Sequence, residues 1–310
     1  MSELILHHYA NSPFSEKIRL IFGCKGLAWR SVHIPSIMPK PDVVALTGGY
    51  RKTPVLQIGA DIYCDTALMA RVIDALQPEP PLYPQSSAGT AQMLAQWADS
   101  SLFWSVIPYC MQPAGVTQIL GGASPEVLKA FAIDRAPFTA GMTRQTTADA
   151  TAALHTYLGW LEAHLADGRG FLEHGTVSIA DFSVAHCLWF IHLAPALLGI
   201  FEPYPKLLAW FERVRAFGHG QPTKLGSGEA LVIAAASAAH APVQVQAGLG
   251  FAAGDEVTVV PTDYGRDPVA GVLVGLSRDQ VSIARTDERA GSLHVHFPRI
   301  GFQVKKEKKE

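Results

Sequence analysis

Ser12-Pro13-Phe14-Ser15 lies between an apolar stretch, Leu4–Tyr9, and a segment whose apolar residues recur at helical spacing up to Gly26. The apolar stretch is typical of a buried strand, and hydroxyl side chains beside a proline are typical of the first turn of a helix. Glycine is common just past the end of a helix. The stretch therefore predicts a turn from a first strand into a first helix, with the Ser12 hydroxyl at the helix N-terminus.

The alternation of strand and helix signals continues through residues 1–83. Apolar and polar residues alternate over residues 31–34, which predicts a second strand. Val55–Ile58 and Ile62–Cys64 flank a short turn and predict a hairpin, and a further helix begins at Thr66. The order βαβαββα implies an α/β domain with a mixed sheet and helices packed against it.

From residue 84 the pattern becomes helical. An amphipathic stripe recurs at helical spacing in Leu154, Leu158, Leu161 and Leu165. Ser178, followed three residues later by Asp181, resembles a capping box. We therefore predict an all-helical domain over residues 84–241. The signal of residues 221–242, where this domain ends, is ambiguous.

After residue 242 the composition changes to short β-branched runs separated by turn residues. These runs are Val257–Pro261, Val269–Leu276, Gln280–Ala284 and Leu293–Phe297. Their spacing predicts a small all-β module over residues 242–304, in the form of a five-strand barrel. The charged residues 305–310 are expected to form a solvated tail.

Composition argues against several classes of function. The chain has 310 residues, of which 48% are hydrophobic, so it can bury a sizeable core in two or three domains. A net charge of −2 argues against nucleic-acid binding. No apolar run is long enough to span a bilayer and the N-terminus lacks a signal-like segment, so neither membrane insertion nor export is expected. Four cysteines without CxxC pairing are typical of reduced thiols in the cytoplasm.

Three short polar segments of the first domain, which we call polar steps, can be interpreted either as ordinary structural features or as parts of a binding site. Taken singly, Ser12 and the pair Asp65-Thr66 are ordinary helix caps, and Thr53-Pro54 opens a strand. Taken together, they outline a pocket for a small thiol. A hydroxyl at a helix N-terminus favours a thiolate. A cis bond before Pro54 would expose the Thr53 backbone to an extended peptide.

The three steps, with their spacing, resemble the glutathione transferase superfamily. The resemblance rests on Leu4–Tyr9, Ser12–Arg19, Lys52–Leu56 and Asp65-Thr66, and residues 178–181 support it in the helical region. It covers residues 1–220 and implies a thioredoxin-like domain over residues 1–83, followed by the all-helical bundle. The β-module lies outside the resemblance.

The resemblance also implies a function. Glutathione would be the co-substrate of a cytoplasmic homodimer that acts in detoxification. Ser12 occupies the position of the catalytic residue, where it would stabilise the glutathione thiolate for attack on a small electrophile held by the helical domain. The glutathione-binding residues implied are Lys52, Thr53, Pro54, Asp65 and Thr66.

Each of these binding residues is implied to hold a particular part of glutathione. Thr53, before a cis Pro54, would pair through its backbone with the cysteinyl part. Asp65 and Thr66 would hold the γ-glutamyl end, with Asp65 facing its ammonium group. Lys52 would lie near a glutathione carboxylate.

Two departures from the family pattern limit the reactions expected and affect the binding of the ammonium group. Serine instead of cysteine at position 12 removes mixed-disulfide chemistry, so thiol transfer and dehydroascorbate reduction are not expected. Asp65 is one methylene shorter than the Glu or Gln of many members, which shortens its reach to the ammonium group. Tyr9, near the end of the first strand, is the alternative catalytic hydroxyl, or else a packing residue.

Two other functions are compatible with the same residues. Isomerisation, dehalogenation and peroxide reduction all start from the same thiolate, so the first domain does not separate them from transfer. A transferase-like fold can also serve as a non-catalytic binding or assembly module, and the β-module suggests this. The β-module could equally cover an apolar surface of the helical domain.

The electrophile is expected in a cleft between the domains. The aromatic and flexible side chains that would line it, although such residues more often form core, are Phe14, Trp97, Phe103, Trp104, Tyr109 and Met111. No metal site is predicted, because His294 and His296 share one face of a strand but no third ligand lies nearby in the sequence.

Overall fold

The computed structural model describes residues 3–173 and 175–307. The first domain has the predicted order of elements: β1 (Ile5–His8), α1 (Pro13–Cys24), β2 (Ala28–His33), α2 (Pro41–Thr47), β3 (Val55–Ile58), β4 (Asp61–Cys64) and α3 (Thr66–Leu76). Strand β1 pairs in parallel with β2 and antiparallel with β3, and β3 forms a hairpin with β4. The thioredoxin-like α/β domain is therefore confirmed.

The second region is a helical bundle, as predicted. Its helices are α4 (Ala88–Trp97), α5 (Phe103–Cys110), α6 (Pro113–Ile119), α7 (Pro125–Phe138), α8 (Thr147–His164), α9 (Ile179–His192) and α10 (Pro205–Arg215). A π-helical turn, Ala98–Leu102, joins α4 to α5, and a 3-10 turn, Pro195–Phe201, precedes α10. Most of α9 is buried, and it packs against α1, α4, α5 and α10.

The predicted cap of α9 connects the bundle internally. Asp181 accepts a hydrogen bond from the Ser178 backbone N–H at 2.8 Å, as in a capping box. Its other carboxylate oxygen accepts from the Trp210 indole N–H at 2.8 Å and from the Leu172 backbone N–H at 2.9 Å. A single buried carboxylate thus connects the start of α9 to α10 and to the loop that precedes α9.

The chain after α10, where the sequence signal is ambiguous, pairs and packs with the first domain. Strand β5 (Gln221–Lys224) pairs in parallel with β2, and α11 (Ser227–Ala236) packs against α2, β2 and a strand of the C-terminal module. Ala230, Leu231 and Ala234 form the buried face of α11. Although sequence patterning placed residues 221–236 in the helical domain, their apolar face packs on the sheet instead.

The C-terminal module contains five strands: β6 (Glu256–Pro261), β7 (Val269–Leu276), β8 (Gln280–Asp287), β9 (Gly291–Pro298) and β10 (Phe302–Lys306). Their order is β10-β6-β7-β8-β9, and β9 pairs in parallel with β4. The module therefore extends the first domain into one ten-stranded sheet, ending at β5 on the other side. Its apolar residues share a core with the first domain, including Ile5, Ile62, Ile283 and Val295.

The last strand, β10, includes the first two residues of the predicted solvated tail. Lys305 and Lys306 pair with Thr258 and Val257 in β6, so the strand extends to Lys306 instead of ending before a solvated tail at residue 305. Residues 308–310 lie outside the described part of the chain. Within the described ranges, no helix is both long and apolar enough to cross a membrane.

Candidate active site

Ser12 lies where β1 turns into α1 and is the N-cap of that helix. Its Oγ accepts a hydrogen bond from the Ser15 backbone N–H at 3.2 Å. Because the oxygen acts as an acceptor in the cap, the hydroxyl hydrogen is left to donate. The residue is only 2% exposed, yet it lines a cavity of about 950 Å³, which we call cavity A. Capping the helix and donating to a ligand are therefore compatible roles.

The Thr53-Pro54 peptide bond is cis. Thr53 immediately precedes β3, and its hydroxyl accepts a hydrogen bond from Lys40 Nζ at 3.1 Å. Neither the backbone N–H nor the C=O of Thr53 has a hydrogen-bond partner among the residues that the structure describes. Backbone groups of this kind can pair with an extended peptide.

Asp65 is the N-cap of α3, where its Oδ1 accepts a hydrogen bond from the Ala67 backbone N–H at 2.9 Å. Its φ of 75° is positive, which sets it apart from every other non-glycine residue in the described ranges. Burial raises the pKa of this carboxyl, and the Ala67 N–H and the nearby Lys52 and Lys17 charges only partly oppose that effect. Backbone strain of this kind is common at ligand sites.

The predicted site residues divide between two neighbouring cavities. Ser12 lines cavity A, whereas Pro54, Asp65 and Thr66 line a second cavity of about 620 Å³, cavity B. Lys52 and Thr53 line both. A ligand that extends from Asp65 to Ser12 would therefore pass Thr53.

The aromatic candidates separate into lining and core residues. Phe14, Phe103, Trp104 and Met111 line cavity A. Trp97 instead meets the Tyr157 ring edge-on at 5.3 Å between centroids, and the Tyr109 hydroxyl donates to the Leu197 carbonyl at 2.9 Å. Tyr9, the alternative catalytic hydroxyl, also lines cavity A, with Lys40 Nζ 5.7 Å from its ring centroid.

A loop of the C-terminal module forms part of both cavity walls. This loop, residues 262–268, joins β6 to β7. Asp263 Oδ1 lies 2.6 Å from Lys52 Nζ, and the Tyr264 ring centroid lies 4.1 Å from the same nitrogen. Tyr264 also meets the rings of Trp104 and Phe138 at 5.0 Å each. Sequence reasoning missed this loop, because nothing local to it indicates that it reaches the first domain.

A buried ion pair forms part of the wall of cavity B. Lys17 Nζ of α1 lies 2.5 Å from Asp99 Oδ2 in the π-helical turn, and His186 Nε2 lies 3.0 Å from Asp99 Oδ1. Burial raises the pKa of the Asp99 carboxyl, but the Lys17 charge and the His186 hydrogen bond together lower it below its usual value. Asp99 thus adds a further carboxylate to the cavity that Asp65 lines. In the sequence, the only indication of this ion pair is that Lys17 lies on the apolar side of α1.

Cavity A has a cationic wall. Lys40, Arg51 and Arg135 line it, and both arginines pair with the single carboxylate of Asp134, at 2.8 and 2.5 Å. Burial lowers the pKa of Lys40 to about 8, and the Arg135 charge contributes in the same direction. Three cations with one carboxylate between them favour a negatively charged ligand group.

Comparison with known proteins finds the two domains of one family in this chain. Family models match residues 6–81, as the N-terminal domain of glutathione S-transferase, and residues 135–213, as its C-terminal domain. A GST-like protein from Pseudomonas syringae is 43% identical, with a TM-score of 0.82, over 99% of this chain and 100% of that one. This chain belongs to the glutathione S-transferase family. The family uses glutathione as a substrate, which agrees with the predicted co-substrate.

More distant structures share the fold of this transferase-family chain. A glutathione S-transferase from Rhodospirillum rubrum is 20% identical, with a TM-score of 0.53, over 69% of this chain and 88% of that one. A beta-etherase from Sphingobium is 17% identical, with a TM-score of 0.53, over 70% and 96% respectively. The match to the Pseudomonas protein, by contrast, covers 99% of this chain and therefore includes the β-module. No curated protein matches this chain.

Proposed function

We propose that this transferase-family protein binds glutathione across cavities A and B and uses Ser12 to stabilise its thiolate for attack on a small electrophile. The observation that carries the proposal is the position of Thr53. Thr53, whose backbone has no hydrogen-bond partner among the described residues, lines both the cavity of Ser12 and the cavity of Asp65 and Thr66.

Glutathione has two carboxylates and one ammonium group, and the site offers a partner for each. Thr66 opens α3, so its N–H and the helix dipole favour the γ-glutamyl carboxylate. Asp65, with Asp99 in the same cavity, suits the ammonium group. Lys52 provides a cation for the second carboxylate, although its ion pair with Asp263 must then be shared or exchanged.

Ser12 would act on the sulfur. A thiol with an ordinary pKa near 8.5 is mostly protonated at neutral pH. A hydrogen bond from the Ser12 hydroxyl and the N-terminal dipole of α1 both favour the thiolate, and the thiol proton leaves to solvent. The sulfur lone pair then forms a bond to the electrophilic carbon, and the leaving group departs with the electrons of the bond that breaks.

The lining of cavity A also limits the second substrate. Phe103, Trp104 and Phe138 favour an apolar or aromatic body, and the cationic wall favours a carboxylate on it. Isomerisation of a cis-enone acid is the alternative reaction that this wall favours, because such a substrate has both features. Family membership supports a cytoplasmic homodimer with a role in detoxification.

Calorimetry with glutathione, followed by a panel of electrophiles, tests the proposal. The panel pairs carboxylated with neutral members and includes aryl halides, haloalkanes, cis-enone acids and hydroperoxides. We expect saturable glutathione binding and faster turnover of the carboxylated members. Absence of heat and of a thermal shift at millimolar glutathione would instead favour a non-catalytic binding module.

A further inference from the structure

A cluster of one carboxylate and three imidazoles lies where the C-terminal module joins the first domain. Asp61 begins β4, His294 is its register partner in β9, and His240 lies in the segment between α11 and β6. Asp61 Oδ1 is 3.7 Å from His240 Nδ1 and 4.0 Å from His294 Nδ1. None of these three residues lines cavity A or cavity B.

Two nitrogens in this cluster are buried without a partner. His240 Nδ1 and His294 Nδ1 are shielded from solvent, and neither has a hydrogen-bond partner among the described residues. A buried polar atom left unpaired destabilises the fold, because it has lost its hydrogen bonds to water. Two such atoms beside one carboxylate oxygen call for a ligand that accepts electron pairs from all three.

The carboxylate is held in place by neighbouring groups. Asp61 Oδ2 accepts a hydrogen bond from the Ala241 backbone N–H at 2.8 Å. His296 Nε2 lies 2.8 Å from Asp61 Oδ1, and its Nδ1 lies 2.8 Å from Ser282 Oγ. Hydrogen bonds of this kind orient metal-binding carboxylates in other proteins, and His296 has this supporting position here.

We propose that Asp61, His240 and His294 bind a divalent transition metal ion of the zinc class, through Oδ1 and the two Nδ1 atoms. Two imidazoles and a carboxylate are a common ligand set for such ions, and a water molecule would complete a tetrahedron. With metal–ligand bonds of about 2.1 Å, ligand atoms lie about 3.4 Å apart. The observed separations of 3.7 and 4.0 Å are therefore only a few tenths of an ångström too long.

Metal binding also requires a defined movement of the two rings. The His240 and His294 rings are stacked, with centroids 3.8 Å apart and planes 14° from parallel. A metal ion lies in the plane of each imidazole that binds it, so the rings must rotate apart about their χ2 bonds. Rotation about χ2 moves only the ring, so it leaves the backbone in place.

The position of the site indicates that a bound ion would connect two parts of the fold. Its three ligands come from the edge strand of the first domain, the edge strand of the module and the chain between them. A bound ion would therefore join the module to the thioredoxin-like sheet. The sequence alone does not reveal a third ligand for His294 and His240, because Asp61 lies more than 170 positions before either histidine.

The test uses tag-free, full-length protein from which metal has been removed with a chelator. Zn²⁺ is titrated by competition with a chromogenic chelator, Co²⁺ by its visible spectrum, and thermal unfolding is followed with and without Zn²⁺. We expect one ion per chain, a higher Tm with Zn²⁺ and a tetrahedral Co²⁺ spectrum. His240→Ala and His294→Ala should each weaken Zn²⁺ binding by about tenfold or more, since even the loss of a supporting group costs this much.

His33→Ala is the matched control, because it removes an imidazole of the first domain that lies outside the cluster, and its Zn²⁺ affinity should equal that of the wild type. If His294→Ala does not fold, His240→Gln carries the test, since His240 lies outside the strands. The proposal is overturned if the wild type takes up no Zn²⁺, or if the His240→Ala/His294→Ala double variant binds it as tightly.

Discussion

Lys52 Nζ lies 2.6 Å from Asp263 Oδ1, although 211 positions of sequence separate the two residues. Lys52 precedes the cis-proline of the first domain, and Asp263 belongs to the β6–β7 loop of the C-terminal module. The module therefore contributes directly to the walls of both cavities. An anionic ligand that approaches Lys52 meets a cation that is already paired.

Asp263→Asn should tighten glutathione binding about threefold to fivefold. The change frees Lys52 for a ligand carboxylate, and a pair with one well-exposed partner is worth up to about 1 kcal/mol. Calorimetry measures the affinity. Asp267→Asn, which makes the same charge change in the same loop outside both cavities, is the control and should bind glutathione like the wild type. Weaker binding by Asp263→Asn would show instead that Asp263 positions Lys52.

Ser12→Ala should lower turnover about 100-fold with little change in glutathione affinity, because one donor to the developing thiolate is lost. Loss of the cap should also cost about 1 kcal/mol of stability. Ser12→Gly removes the hydroxyl but keeps a residue tolerated at the N-cap, so its turnover loss reports chemistry alone. Ser15→Ala is the control, since its buried hydroxyl has no hydrogen-bond partner among the described residues. Unchanged turnover in both Ser12 variants would transfer the role to Tyr9, testable with Tyr9→Phe.

Binding of an anionic ligand in cavity A should depend on the charge of Lys40. Its pKa of about 8 means that the ammonium is present below that pH and lost above it. The affinity for an unreactive carboxylate analogue should therefore fall as the pH rises through about 8. Lys40→Arg stays charged over this range and should flatten the profile, while a neutral analogue should show no such fall. Identical profiles for the wild type and Lys40→Arg would exclude Lys40 from the binding of that carboxylate.

Asp99→Asn should lower the free energy of unfolding by about 2–3 kcal/mol, because it leaves the Lys17 ammonium without its buried counterion. The folded-state pKa of Asp99 is below its ordinary value of 3.8, so the ion pair stabilises the fold above that pH and is lost as the pH falls. Denaturant unfolding should therefore show a difference between variant and wild type that narrows in acid. Glu212→Gln, in the exposed pair with Arg215, should change stability by less than about 0.5 kcal/mol at any pH.

Many elements could be predicted because their signals are local. The helix from Thr66 and the strands Val55–Ile58 and Val269–Leu276 have the predicted starts or bounds, since periodicity and turn residues act within a few positions. The cap at Ser178 and Asp181 formed for the same reason. In residues 221–236, the alanine-rich end carries little periodicity, and the packing of α11 on the sheet decided where the segment lies.

The sequence by itself determined the two-part transferase fold and the local setting of Ser12, Thr53-Pro54 and Asp65-Thr66, because each depends on a turn or a helix start. Only the tertiary structure decided that β9 pairs with β4, that Asp263 lies against Lys52, and that Asp61 lies beside both His240 and His294. The physical reason is distance along the chain. These contacts form only when the whole sheet brings together residues more than 170 positions apart, and no local pattern encodes that register.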